Sequence, residues 1–185
     1  MSVYELPTSL TIGGVGYPIR YSWTAALDIL AACADPDLDE YAKAACLLQI
    51  LFPDHESIPT EHLGEACQKA SDFIDCGQKD DGKVRPKMID WAQDAAIIIP
   101  EINKVACREI RLDPNIHWWT FYGWFMGIGD GLLASVLHVR QKKAKGKKLE
   151  SWEREFYEEN KALVDFKTAD NDEIRAEKAN ILKFL

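Results

Sequence analysis

Apolar residues recur through most of this chain at helical spacing, and only the first twenty residues depart from it. Leu10 to Ile12 and Gly16 to Ile19 are short apolar runs on either side of Gly13 and Gly14, a pattern that predicts a small β-hairpin over about residues 8–20. Pro18 has no N–H to give a ladder, so it confines the second strand to an edge or a strand end. Two strands alone are marginal in water, and the hairpin must therefore pack on helices.

Ser22 reads as the N-cap of a helix from Trp23 to about Ala34, with Trp23, Ala26, Leu27 and Leu30 on its apolar side and Asp35-Pro36 as its stop. A second helix is predicted from Asp39 to Phe52, ended by Pro53, with Ala42, Ala45, Cys46 and the Gln49 to Leu51 stretch in its body. Thr60 would cap a third, from Glu61 to Ile74, burying Leu63, Ala66, Cys67, Ala70 and Ile74. Residues 77–87 are polar and contain Gly82 and Pro86, which predicts a mobile loop. A fourth helix is expected from Met88 through Trp91 and the run Ala95 to Ile99. Pro100 either kinks it or divides it from a fifth through Ile102, Val105, Ala106 and Ile110. Leu149 to Asp165 carries Trp152, Phe156, Leu163 and Val164 among charges and predicts a further helix. These readings make a mainly α fold: one multi-helix domain over residues 1–167 with an N-terminal hairpin, followed by residues 168–185 as a tail that reads as an amphipathic helix.

The stretch from His117 to Val139 concentrates three of the six tryptophans. Trp118, Phe121, Tyr122, Phe125, Ile128, Leu132, Leu133 and Val136 keep helical spacing, and Gly123, Gly127, Gly131 and Ser135 recur every four residues as a small-residue seam that lets another backbone approach closely. Two arrangements fit: one continuous helix, or a break at Ile128-Gly129-Asp130 with Asp130 capping a new one. A membrane span fits poorly. The apolar side chains supply roughly -2 to -4 kcal/mol on an insertion scale, while a central Asp130 costs about +2.5 to +3.5 and the glycines add to that.

Charge narrows the function classes. A chain of 185 residues and net charge -8 lacks the overall positive field of a protein that coats nucleic acid. Its five cysteines make no Cys-x-x-Cys pair, which predicts buried free thiols in a reducing compartment. Residues 1–9 have no apolar run, so a signal peptide is not expected. His55 and His62 stand near Glu56, Glu61 and Glu65 without ligand spacing and read as a polar face, and His117 as a satisfied histidine at a helix start. The Gly127 to Gly131 segment lacks the Lys-Ser/Thr of a phosphate loop. No cofactor, no metal and no catalytic set of nucleophile, base and orienting group is expected.

Against this acidic background Arg140, Lys142, Lys143, Lys145, Lys147 and Lys148 place six cations within nine residues. One reading is a solvated helix C-terminus, where cations complement the helix dipole and Gly146 supplies the cap. The others are a contact with an acidic partner protein or with nucleic acid. The last is the weaker, because no aromatics for base stacking interleave the run.

The sequence resembles the bacteriophage gene-product-fifteen family, small proteins encoded in the tail modules of long-tailed phages of Gram-positive bacteria. The likeness rests on His117-Trp118-Trp119-Thr120-Phe121, with Trp118, Trp119 and Phe121 as its motif core, on Gly129-Asp130, and on Arg140 followed by Lys142, Lys143, Lys147, Lys148, Leu149, Glu153 and Phe156. Leu6-Pro7, the Gly-Gly turn, Leu51-Phe52-Pro53 and the segment from Asp90-Trp91 to Asn103 add to it, so that it extends to about Lys167. Members commonly lie beside the tape-measure gene. The resemblance thereby implies a non-enzymatic tail-assembly chaperone in the host cytoplasm, with the tape-measure protein or tail-tube subunits as partners. A homo-oligomer stays open. The competing expectation is a nucleic-acid-binding accessory protein that uses residues 140–148.

Overall fold

The hairpin forms where Gly13 and Gly14 both take positive φ, 56° and 82°, as the tightest two-residue hairpin turns require. In the computed structural model, which describes residues 4–78, 82–83 and 85–167, β1 (Ser9–Ile12) pairs antiparallel with β2 (Val15–Pro18), Leu10 opposite Tyr17 and Ile12 opposite Val15. Leu10 and Ile12 point into the core, and Pro18 closes the last pair opposite Ser9. The turn is held by the third helix: the Gly13 N–H donates to Glu65 Oε2 at 2.9 Å, and a Cβ at Gly13 would meet the His62 ring at 2.6 Å. His62 and Glu65 thus serve the hairpin.

Eight α-helices follow among the described residues. Ser22 caps α1 (Trp23–Ala34) by accepting from the Ala25 N–H, and Asp39 caps α2 (Glu40–Leu51) by accepting from the Ala42 N–H at 2.8 Å. A single 3-10 turn, Thr60–His62, leads into α3 (Leu63–Ile74), whose buried face is Ala66, Ala70 and Phe73. The chain then runs without helix or strand through the described part of 77–87. The mobility expected there rests in part on residues 79–81 and 84, which lie outside the described residues, as does the predicted helix of 168–185.

Two expectations change downstream. Residues 88–94 are not helical, because the Asp90 carboxylate accepts from the N–H groups of Ala92 and Gln93 while the Asp94 carboxylate accepts from the Asp90 N–H. These side chains take the donors a helix start would offer to its own backbone. The helix begins later, as α4 (Ala95–Ala106), and passes through Pro100 without dividing. Ile97 and Ile98 before the proline and Ile102 after it are buried on one face, and that shared burial carries the helix across the missing N–H.

The central stretch breaks. α5 (Trp118–Met126) and α6 (Leu132–Ala144) are separate helices, and α6 starts at Gly131 with no side-chain cap, so Asp130 does not play the capping part expected of it. Cations and a Schellman turn end α6: Gly146 takes φ 63°, its N–H donates to the Lys143 carbonyl, and the Lys147 N–H reaches Lys142. The predicted last helix is divided into α7 (Ser151–Glu159) and α8 (Lys161–Val164). One contiguous core joins these elements, from Leu10 in the hairpin to Val164 in α8.

Candidate functional site

The aromatic motif is built into the centre of the core. Ser22 and His117, the caps of α1 and α5, face each other in a short bridge, with the Trp23 N–H donating to the Ile116 carbonyl at 2.9 Å and the Trp118 N–H to the Tyr21 carbonyl at 2.7 Å. His117 Nδ1 accepts from the Trp119 N–H, so Nε2 carries the proton and donates to the Pro7 carbonyl at 2.9 Å. Burial pushes its pKa below the ordinary 6.5, with the Pro7 bond opposing. Trp118 and Phe121 are fully buried, Trp119 partly, and both indoles donate to the end of α3, to the Ile74 and Phe73 carbonyls. These residues fasten α1, α3 and α5 together.

The basic run is divided by the fold. Arg140 is 4% exposed and leaves the surface altogether. All its N–H groups are engaged: two with the Asp94 carboxylate at 2.6 and 2.8 Å, the others with the carbonyls of Met88, Leu163 and Val164. It cannot be a partner-binding cation as expected, because it faces the core at helical spacing from Leu133 and Val136. Lys142 pairs with Glu150 and Glu153, and Lys143 with Asp165 at 2.5 Å beside the Tyr157 ring. Only Lys145, Lys147 and Lys148 of the run remain exposed without an ion pair among the described residues.

Glu153 is the acid that organises this end. It is fully buried, accepts from Lys142 and His138, and caps α7 by accepting from the Glu150 N–H while Glu150 returns the bond. Burial alone would raise its pKa, but Lys142, the Glu150 N–H and His138 outweigh it and hold the carboxyl at about 2. Sequence reading missed Glu153 and Asp94 as core residues. The available signals were a Glu three residues after a helix start and a lone acid placed directly before the apolar run of α4.

The glycine seam also divides. A Cβ at Gly127 would touch Val105 Cγ1 at 3.4 Å, and one at Gly131 would meet the Glu101 carboxylate at 3.3 Å, so α4 lies close against these two positions. Gly123 has open space, and the Ser135 hydroxyl donates back to the Gly131 carbonyl. The cysteines are free but not buried as expected: Cys33 and Cys107 are exposed, and Cys46, Cys67 and Cys76 are intermediate. Cys76 and Cys107 end α3 and α4 in left-handed backbone. Burial, then Asp75, pushes the Cys76 thiol up to about 12, far from a nucleophile's range.

Three hollows lie elsewhere. Hollows of about 480, 320 and 200 Å³ are each lined by Leu30, beside α1, the end of α3 and the segment Ile89–Trp91. Their walls mix apolar residues, chiefly Leu30, Ala34, Ile74, Ile89, Trp91 and Tyr122, with polar and charged ones, among them Asp75, Gln78, Arg85, Lys87 and Asp90.

Fold and surface define a helical protein whose described residues offer part-apolar hollows beside Leu30 and three exposed lysines after α6, and include no group of His, Cys, Asp and Glu suited to a metal ion. No helix among them is long and apolar enough to cross a membrane. The chain belongs to the family described as Bacteriophage Gp15 protein, whose model matches residues 3–166. No curated protein and no solved structure matches it.

Proposed function

We propose that this protein is a non-enzymatic tail-assembly factor, a chaperone that holds the tape-measure protein in the host cytoplasm during tail morphogenesis and hands it to tail-tube subunits. The observation that carries the reading is the set of hollows beside Leu30 and Trp91, whose half-buried apolar side chains, flanked by polar ones, can receive the apolar side chains of an amphipathic helix. Lys145, Lys147 and Lys148 supply a second, electrostatic contact for acidic client segments, one that salt weakens.

Co-expression tests it. The tape-measure protein should stay in the soluble fraction and co-purify only when this protein is present, and Leu30→Asp should reduce that recovery severalfold. Unchanged tape-measure solubility without this protein would remove the proposal. The nucleic-acid alternative gains nothing from the geometry, since Arg140, Lys142 and Lys143 are spent on internal partners. Three remaining lysines would give a log-log salt slope of only about -2.7 on duplex DNA. Replacing Lys142, Lys143, Lys147 and Lys148 by Ala should therefore leave no steep salt-dependent binding to lose.

A further inference from the structure

The outer side of α7 carries an exposed aromatic between charges of opposite sign. Trp152 is 52% exposed, the one tryptophan among the described residues that is not at least partly buried. Its ring is nonetheless held in place. It stacks on His138 of α6, with centres 5.8 Å apart and planes 20° from parallel, and His138 Nε2 is bonded in turn to the buried Glu153 at 2.7 Å. A half-exposed indole fixed in this way is a side chain that interfaces favour over ordinary surface.

Lys147 and Lys148, just before α7, are exposed, and so are Glu155 and Glu159 within it. None of the four has an ion pair among the described residues. At about 100° per residue Trp152, Glu155 and Glu159 fall within an arc of about 60°, turned away from the buried Glu153. The order along this strip is therefore lysines, indole, acids. Such a strip is complementary to its own image turned by a half-rotation. Glu159 lies about 10 Å along the helix from Trp152, and the four residues back to Lys148 reach at most about 14 Å, so the two arms are alike in length. An acidic segment of another protein answers only the lysines, whereas a second copy answers lysines and acids alike.

We propose that two copies of this chain pair through α7, antiparallel about a two-fold axis beside Trp152, with Lys147 and Lys148 of each copy against Glu155 and Glu159 of the other. The nine residues of α7 span about 14 Å, too little for the roughly 1,200–2,000 Å² that a stable interface buries, so the pair is weak and forms at high concentration. It does not rest on the tape-measure reading. A client segment drawn to Lys147 and Lys148 competes with it.

Sedimentation equilibrium of the full chain from about 1 μM to about 1 mM tests the pairing, with monomer expected at the low end and dimer at the high end. Trp152→Ala should raise the dissociation constant at least about tenfold. Lys147→Glu with Lys148→Glu should abolish the dimer. Glu155→Lys with Glu159→Lys should abolish it too, although that change makes the molecule less negative and lowers the general repulsion between copies. All four substitutions in one chain should restore it, because each lysine again meets an acid, and a folding defect cannot produce that recovery. A monomer at every concentration would overturn the proposal and leave the strip to a different protein. So would a dimer that survives either charge reversal, and so would a fourfold variant that stays monomeric.

Discussion

At the scale of single residues, Arg140 and Asp94 carry the largest consequence. A buried pair of this kind is worth little against an apolar pair of the same shape, but removing one partner strands a charge at a cost of about 3–5 kcal/mol. Arg140→Met should lower the unfolding free energy measured in urea by that amount, and Asp94→Leu combined with Arg140→Met should recover part of it; a double variant as unstable as the sum of the singles would refute the coupling. Two further residues carry a pH dependence. His117 has a lowered folded pKa, so the unfolded chain takes up its proton first and stability falls as pH drops below about 6.5, the ordinary value. Glu153 adds a second decline, from its ordinary 4.5 down to about 2, as its pairs with Lys142 and His138 are protonated away. Unfolding midpoints between pH 8 and pH 3 should show both, and His117→Gln should flatten the upper one. Arg140 reads in the sequence as one cation in a run of six, yet its spacing of four from Val136 and seven from Leu133 already puts it on the buried face of α6. Charge type hid what periodicity contained.

At the scale of elements, local chemistry made some boundaries readable and tertiary contacts moved others. Ser22, Asp39 and the Gly13-Gly14 turn act within a few residues, so α1, α2 and the hairpin lie where sequence places them. The start of α4 is set by the local bonds of Asp90 and Asp94, but the burial of Asp94 depends on Arg140, forty-six residues away, which the local sequence does not name. Phe73 was likewise absent from the predicted buried face of α3, since its partners His117 and Trp119 come from α5. The spacing of four makes the glycine repeat one seam only if the stretch is a single helix, one of the two arrangements that the sequence allows. The break after Met126 gives each position its own surroundings, and substitution should separate them. Gly123→Ala, in open space within α5, should stabilise the protein by about 0.5–1 kcal/mol. Gly127→Val, against Val105, should destabilise by about 1–3 kcal/mol. Equal effects at the two positions, measured by thermal or urea unfolding, would restore the single seam.

At the scale of the whole molecule, the question is whether hairpin, helices and the 161–167 segment fold as one unit. We propose that residues 1–167 form a single domain, on the ground that the buried residues from Leu10 to Val164 make one cluster and that long-range ties close its ends. The His117 ring reaches Pro7 near the start, while Arg140 and Gln93 hold residues 163–167 near the finish. A unit closed in this way has no part that can leave without exposing buried apolar surface elsewhere. Urea unfolding of a Trp152→Phe background followed by tryptophan fluorescence, which then reports Trp23, Trp91, Trp118, Trp119 and Trp124, should therefore coincide with the loss of far-ultraviolet circular dichroism from all the helices. Arg140→Met is the sharper form of the test. If the ties at the finish belong to the same cooperative unit, that substitution moves both curves together. If 150–167 were a separate appendage, circular dichroism would fall first and the fluorescence transition of the Trp152→Phe background would stay at its own midpoint, because the remaining tryptophans lie outside that segment.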